Sequence, residues 1–249
     1  MGDEVRIVEP KKVKFENPAV IVGFPDVGLV GTIAAFHIID KLKLKEIAHI
    51  ESEEFPPVVV VHEGRARYPM RIYGNKEIMV VISEIPINPH LINEVSRSLV
   101  EWFRQRNTSM VISLGGLAHP RRLDIDKLKV YGVSSDDEVD DILKENDVNL
   151  FLEGLTVGPH GVILRDCMRD NLHSMYLMGE SHINYPDPES AASVIEKING
   201  ILNLKIPVKK LIEEGEEIKI RSRDLMKRTE DTLKEMQKAQ EQEIPMMYR

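Results

Sequence analysis

Short apolar runs alternate with segments of helical periodicity along most of this chain, and that alternation constrains its fold more than any other feature. Residues 18–23 form an apolar run closed by glycine, which is typical of a buried strand. In residues 28–43, apolar side chains recur every three or four positions, as at Leu29, Ile33 and Phe36. Strands that alternate with helices in this way predict an α/β protein, with a largely parallel sheet between layers of helices.

The same patterns predict the remaining elements. Strands are expected at 58–61, 109–114, 127–133 and 175–180, and the turn signal Gly74-Asn75 predicts a hairpin between 68–73 and 77–83. Helices are expected at 89–106, 136–145 and 188–202, with Asn88, Ser135 and Asp187 as their N-terminal caps. The four consecutive valines of 58–61 predict a strand buried on both faces.

Length, charge and cysteine content exclude several classes of protein. A chain of 249 residues can hold one large α/β domain or two small ones. Its formal net charge of −8 disfavours a general nucleic-acid binder, which would present a basic face. One cysteine, Cys167, excludes an intramolecular disulfide and fits a reducing cytoplasm. We expect a cytoplasmic protein without membrane contacts, since neither a signal peptide nor an apolar run of membrane-spanning length is present.

The composition changes at Pro207, which predicts an α/β domain over residues 1–206 followed by an arm and a tail. Residues 207–242 are rich in Lys, Arg and Glu, as in an exposed helical arm. The arm carries an apolar seam of seven-residue spacing, formed by Leu211, Ile218 and Leu225 and interrupted at Gly215 and Ser222. We expect this arm to pack on the domain or on a sister subunit, and residues 243–249 to form a flexible tail.

The glycine-rich segment 23–31 follows the first predicted strand and opens the first helix. Such a junction can bind anions at the helix N-terminus. The segment lacks both the dinucleotide-binding spacing G-x-G-x-x-G and the Gly-Lys-Ser/Thr of a phosphate-binding loop. Asp26 would also repel phosphate, so we interpret Gly28 and its neighbours as serving close strand–helix packing.

Several polar and glycine residues lie near predicted strand ends, where open α/β sheets form a ligand crevice. Candidate pocket residues there are Asp26, Gly28, Glu84, Gly115, Gly116 and His160. His119 and His160 are expected in loops that could converge on this pocket. None of the eight histidines has the spacing of a metal site, and Cys167 is expected to be a buried, inert thiol. The sequence therefore predicts no metal, no cofactor and no catalytic residue.

Three segments resemble the PAC2 family of proteasome assembly chaperones. Residues 23–31 look like its first strand–helix junction, 152–161 like its central glycine-rich segment, and 185–192 like its Pro-Asp-Pro helix entry. The resemblance spans roughly residues 15–220. It implies a three-layer α/β/α sandwich similar to nucleoside phosphorylases, oligomers among the archaeal members, and no catalytic residues.

The last three residues, Met247, Tyr248 and Arg249, strengthen this resemblance. They follow the pattern of a hydrophobic residue, a tyrosine and any residue bearing the free carboxylate. One archaeal branch of the PAC2 family is similar to ATP-independent proteasome activators that end in this pattern. The resemblance implies that Tyr248 and the Arg249 carboxylate dock between α-subunits of the proteasome core. Partner pockets can capture a terminal carboxylate through a lysine or backbone N–H groups.

Three functions stay open at this point. The favoured one is a homo-oligomer, preferably a tetramer, or an assembly with a PAC2 paralogue, which binds the proteasome core as an activator or an assembly chaperone. The alternative is a small-molecule enzyme, phosphorylase-like or of carboxylate–amine ligase type, that uses the strand-end crevice. The third is a scaffold whose arm only holds the oligomer together.

Overall fold

Nine strands form one mixed sheet in the computed structural model, which describes residues 5–10 and 13–243. The strands, including two in a separate hairpin, are β1 (Arg6–Val8), β2 (Ala19–Gly23), β3 (Lys45–Glu51), β4 (Val60–His62), β5 (Arg65–Arg67), β6 (Met70–Gly74), β7 (Ile78–Ser83), β8 (Met110–Ala118), β9 (Val130–Ser134), β10 (Asn149–Leu150) and β11 (Ser174–Ser181). The helices are α1 (Val30–Lys41), α2 (Ile92–Arg104), α3 (Asp137–Glu145), α4 (Gly158–Arg169), α5 (Pro188–Ile201), α6 (Lys209–Glu213), α7 (Gly215–Arg221) and α8 (Arg223–Glu243). Short 3₁₀ turns lie at Val27–Leu29, Pro89–Leu91 and Arg122–Asp124.

The strand order is β1-β3-β6-β7-β2-β8-β11-β9-β10. The four central strands β7, β2, β8 and β11 run parallel to one another. The flanking pairs β1–β3, β3–β6, β6–β7 and β11–β9 are antiparallel. The predicted hairpin is confirmed, because β6 pairs with β7 in a register that places Ile72 opposite Val81. The pair β9–β10 at the other edge is again parallel. The prediction of a largely parallel sheet is therefore correct for the centre and for this edge pair, but not for the four antiparallel pairs.

Helices cover both faces of the sheet, which confirms the predicted α/β class with helical layers on each side. One core lies between the sheet and α1, α3 and α5, and includes Ile21 of β2. The other lies between the sheet and α2 and α4, and includes Val20 and Val22 of the same strand. Because successive side chains of a strand point to opposite faces, a continuous apolar run such as β2 supplies both cores.

The predicted buried strand at residues 58–61 is wrong. The corresponding strand β4 pairs only with β5, in a two-stranded hairpin outside the main sheet. Val59 and Val61 are 68% and 64% exposed. Apolar composition identified a strand but could not show which layer would cover it.

The predicted helix starts are close, and one of the three predicted caps makes the expected side-chain hydrogen bond. Asn88 makes no side-chain cap hydrogen bond, and a 3₁₀ turn at Pro89–Leu91 precedes α2. The cap of α3 is Asp136, which accepts from the Val139 backbone N–H, rather than Ser135. Asp187 caps α5 as predicted, by accepting from the Ser190 N–H.

The arm consists of three helices, α6, α7 and α8, separated by the single residues Glu214 and Ser222. Leu211, Met226 and Thr229 are buried against the same chain. In the described part of the arm, the apolar seam is therefore covered largely by its own domain. No helix among the described residues is long and apolar enough to cross a membrane.

Candidate functional site

Five of the six candidate pocket residues meet where the central strands end. Asp26 and Gly28 follow β2, Gly115 and Gly116 lie within β8, and His160 lies in the first turn of α4. The expectation that His160 sits in a loop is wrong, because the sequence analysis missed α4. The expectation that Gly115 and Gly116 close a strand is also wrong, because β8 continues to Ala118.

Asp26 is tied into the structure through both carboxylate oxygens. It caps the 3₁₀ turn by accepting from the Val27 N–H at 2.6 Å, and it accepts from the hydroxyl of Tyr176 on β11. Burial, and then the adjacent negative charge of Asp26, raise the pKa of Tyr176 well above its ordinary value. The tyrosine therefore stays protonated, and the pair joins the β2 loop to β11.

The glycines permit close backbone approach at this junction. A side chain on Gly115 would place its Cβ 2.2 Å from Asp26 Oδ2, and one on Gly116 would lie 2.3 Å from the Val27 carbonyl oxygen. Gly28 has φ of +61°, and a Cβ there would lie 1.9 Å from Ser181 Oγ. These contacts support the interpretation of the glycine-rich segment as a packing device.

His160 is buried among aromatic side chains. Its side chain is stacked on Tyr176 with 5.0 Å between ring centroids, and it lies 6.0 Å from the ring of Phe24. Among the described residues, neither ring nitrogen has a partner in hydrogen-bonding geometry. Burial lowers the pKa of His160, and the attraction of Asp26 and the nearby Phe24 backbone offsets only part of that effect. The imidazole is therefore neutral at pH 7 and unusually poor in partners for a buried polar group.

Helix α8 lies across this cluster and fills the crevice. Asp26, His160 and their neighbours face four residues of the arm, namely Thr229, Thr232, Leu233 and Met236. The remaining cavity has a volume of about 10 Å³. That is room for no more than about one water molecule. With α8 in this position, the crevice cannot hold a metabolite.

Glu84, the sixth candidate, belongs to a different cluster. Its carboxylate accepts from Arg71 on β6 and lies 2.9 Å from His62 Nε2 on β4. Arg71 is 1% exposed, and its Nε and Nη1 have no hydrogen-bond partner among the described residues. Glu84 therefore neutralises a buried guanidinium under the β4–β5 hairpin.

An ion pair that the sequence analysis missed fixes the loops beside the crevice. Arg122 Nε and Nη2 donate to the two oxygens of Asp187, and Nη2 also donates to Glu189. The backbone N–H of Asp187 donates to the Gly28 carbonyl at 2.9 Å, and that of His182 donates to the Asp187 carboxylate. The predicted cap Asp187 was a signal for this site, whereas nothing in the sequence identified Arg122.

A shallow groove of about 330 Å³ lies next to this ion pair, between the loops that follow β8 and β11. Three of its apolar side chains are exposed: Leu123 by 86%, Tyr185 by 67% and Ile183 by 51%. His119, one of the two histidines expected to converge on a pocket, lines this groove rather than the crevice. Exposed apolar residues grouped in this way are typical of interaction surfaces.

The other residues considered in the sequence analysis are Cys167, the possible metal ligands and the last three residues. Cys167 is buried in α4, and burial raises its pKa to about 12, so the thiol is unreactive at neutral pH. In the described residues, no three His, Cys, Asp or Glu side chains are grouped to hold a metal ion. Met247, Tyr248 and Arg249 lie outside the described residues.

Comparison with known proteins identifies relatives over almost the whole chain. The uncharacterized protein MJ0106 of Methanocaldococcus jannaschii is 34% identical over 246 residues, which cover 99% of each chain. Pyrococcus furiosus PbaA, described as an archaeal homolog of proteasome-assembly chaperone, superposes with a TM-score of 0.85 at 33% identity and covers 91% of this chain and 98% of its own. Pyrococcus furiosus PbaB, described as an archaeal proteasome activator, shares the fold at 23% identity, with a TM-score of 0.77 over 89% of this chain and 98% of its own. The PAC2 family model matches residues 20–226, so the chain belongs to the PAC2 family.

Proposed function

We propose that this protein binds the proteasome core particle and acts on it as an ATP-independent activator or as an assembly chaperone. The observation that carries the proposal is the likeness to PbaA, a homolog of proteasome-assembly chaperone, over 91% of the chain at 33% identity. The pattern Met247-Tyr248-Arg249 supports it independently. The two roles differ in the partner: an activator acts on the complete α-ring, whereas a chaperone recruits α-subunits before the ring closes.

The proposed contact is made by the tail. With Arg249 as the carboxyl terminus, its carboxylate pairs with a lysine in a pocket between two α-subunits, and Met247 fills an apolar slot. Tyr248 packs its ring against the segment that bears the gate and uses its hydroxyl for a hydrogen bond. A ligand shifts a closed–open equilibrium only by binding the open state better, and Tyr248 supplies that difference.

The proposal includes a homo-oligomer, preferably a tetramer, or an assembly with a PAC2 paralogue. Several weak tails on one oligomer gain affinity through effective concentration if they reach several pockets at once. The exposed groove residues Leu123, Ile183 and Tyr185 support a subunit or partner contact. Light scattering tests this part, because an oligomer has a mass several times 28.4 kDa. A monomer at micromolar concentration would rule out the avidity argument.

The binding test uses purified core particle and the full-length protein. Pull-down and peptidase stimulation are compared for the full chain and for a variant lacking residues 247–249. The matched control is Arg249→Ala, which changes the tail but keeps the hydrophobic–Tyr–X pattern. We expect the truncation to lose binding and the control to retain it. Equal stimulation by the truncated and full-length proteins would refute tail docking.

The enzyme alternative has less support. The crevice at the strand ends, which the alternative requires, is filled while α8 lies over it, and among the described residues its titratable lining side chains are Asp26 and His160. Asp26 is engaged by Tyr176 and the Val27 N–H, so it is not free to act as a base without losing those bonds.

A cytoplasmic location, expected from the single cysteine, is part of the binding proposal.

A further inference from the structure

Helix α8 packs on the domain through a narrow stripe of side chains. Met226 and Thr229 are buried, and Leu233 and Met236 are half-buried over the crevice. The hydroxyls of Thr229 and Thr232 donate to backbone carbonyls within α8 itself. Among the α8 side chains that the structure describes, those of residues 223–236 and 238, none forms a hydrogen bond or ion pair with the rest of the domain. Apolar packing therefore holds the contact, with no directional bond to break when the surfaces separate.

A single residue, Ser222, joins α8 to the preceding helix α7. Its φ of −92° and ψ of 0° differ from an ideal α-helix by roughly 40° in ψ and less in φ. Helix α7 lies against α5, since Gly215 at its start is buried and a Cβ added there would lie 3.8 Å from Pro188. Backbone hydrogen bonds continue across this junction, from the Ser222 N–H to the Ile218 carbonyl and from the Met226 N–H to the Ser222 carbonyl. A change in the bend at Ser222 would therefore move α8 relative to the crevice without breaking the helix.

The crevice beneath α8 contains polar groups that could form hydrogen bonds with water. Within the part of the chain that the structure describes, neither ring nitrogen of His160 has a partner in hydrogen-bonding geometry, and the Asp26 carboxylate lies beside the ring. Unpartnered buried polar groups destabilise the closed arrangement, and access to water would satisfy them. The apolar gain from docking Met226 and Met236 is thus opposed by the polar groups that docking buries. When these two contributions to the free energy are opposed, α8 can exchange between a docked and an undocked position.

We propose that α8 is a reversible lid, which hinges at Ser222 and covers a polar crevice formed by Asp26, His160 and the start of α4. In the open position the crevice is exposed, and the 21-residue α8 extends up to about 31 Å from its hinge. The contacts described above support this movement of α8, and it does not depend on the proposed binding to the proteasome. Its test therefore uses the isolated full-length protein.

The test measures how often both sides of the contact become accessible. Single substitutions Thr229→Cys on α8 and Ile87→Cys on the crevice wall introduce thiols at positions that are 1% and 5% exposed. Ser113→Cys, in the central strand β8, is the matched control at 2% exposure. Native Cys167 is an internal reference that should react only on global unfolding. Maleimide labelling in native buffer is followed by mass spectrometry.

A lid predicts that the thiols at positions 229 and 87 label at the same rate, because one movement exposes both. We expect that rate to exceed labelling at position 113 by at least about 100-fold, the ratio for an opening about 3 kcal/mol easier than global unfolding. Rates at 229 and 87 as slow as the control would overturn the proposal. Fast labelling at 229 with slow labelling at 87 would also overturn it, since α8 would then fray without uncovering the crevice.

Discussion

The guanidinium of Arg122 and the carboxylate of Asp187 form a buried, two-point hydrogen-bonded pair, with nitrogen–oxygen distances of 2.7 and 3.0 Å. Both side chains are at most 6% exposed. Asp187 also caps α5 and receives the His182 N–H, so one carboxylate fixes the loop after β8, the loop after β11 and a helix start. The exposed groove beside the crevice is built on these two loops, and its shape depends on this pair.

Removing one member of the pair should therefore destabilise the folded protein. We expect Arg122→Leu to lower the free energy of unfolding by about 3–5 kcal/mol, because it leaves the Asp187 carboxylate buried without its cation. Glu189→Gln is the matched control, since Glu189 also accepts from Arg122 but its side chain is 63% exposed. Its effect should stay below about 1 kcal/mol. Urea unfolding measures both, and equal losses would show that the buried pair has no special role.

The sequence predicted the elements that carry a simple pattern. The central strands β2, β8 and β11 are apolar runs, and the hairpin of β6 and β7 has a clear turn signal. Strand β3, the second strand from one edge of the sheet, was missed because it mixes Lys45, Glu46 and His49 with apolar residues, as an antiparallel strand near a sheet edge can.

The site was less accessible to prediction because it depends on contacts between distant segments. Arg122 and Asp187 lie 65 positions apart, and either could have been a solvated surface charge. Asp26 and Gly28 were interpreted as packing residues from local sequence, and the structure gives the contacts that explain this. The position of α8 over His160 could not be inferred, because an amphipathic arm fits its own domain or a second subunit equally well. The tail remains a prediction from its sequence pattern.

Gly31 provides a test of the close approach between α1 and the sheet. A Cβ at this position would lie 2.0 Å from the carbonyl oxygen of Leu114 in the central strand β8. Because backbone must move to relieve that contact, we expect Gly31→Ala to cost about 3 kcal/mol or more. Gly64→Ala is the control: its φ is +74°, but nothing lies within 4 Å of a Cβ there. That change should cost only about 1–2 kcal/mol of backbone strain. Thermal or urea unfolding measures the loss of stability in both variants, and equal losses would contradict the packing argument.

His160 should make folding stability depend on pH below neutrality. Burial lowers its pKa in the folded chain, whereas in the unfolded chain it returns to about 6.5. As the pH falls below about 6.5, the unfolded state binds a proton that the folded state does not, so stability is full above that pH and falls towards the lower folded pKa. The facing titratable groups are Asp26 and Tyr176, and the α8 residues over the ring carry no charge.

The measurement is urea unfolding between pH 7 and pH 5. We expect wild type to lose stability with a slope of up to about 1.4 kcal/mol per pH unit from this group. His160→Phe keeps an aromatic ring against Tyr176 and removes the titration, so its slope should be smaller by up to that amount. His90→Phe is the control, because it makes the same substitution at a histidine whose side chain is 58% exposed. Parallel pH profiles for wild type and His160→Phe would show that His160 is not the responsible group.

In the proposed tail contact, the Arg249 carboxylate anchors the tail and Tyr248 opens the gate, and mutations should affect these two roles separately. One residue added after Arg249 moves the terminal carboxylate by about 3.5 Å and displaces Tyr248 from the penultimate position, so binding to the core particle should fail. Tyr248→Phe keeps the ring and removes one hydrogen bond, worth about 1 kcal/mol. Its affinity should therefore fall about fivefold, while peptidase stimulation falls further. Tyr248→Ala also loses the apolar contact and should abolish stimulation, whereas Arg249→Ala should behave as wild type.

Surface plasmon resonance gives the affinity of each tail variant for the core particle, and peptidase assays give the stimulation. If the extended chain binds and stimulates like wild type, the carboxylate is not the anchor, even if the partner is the proteasome. If Tyr248→Phe loses affinity and stimulation in the same proportion, the hydroxyl contributes to binding alone and not to opening. A separable effect requires the hydroxyl bond to be stronger in the open gate than in the closed one, because a contact made equally well in both states shifts no equilibrium.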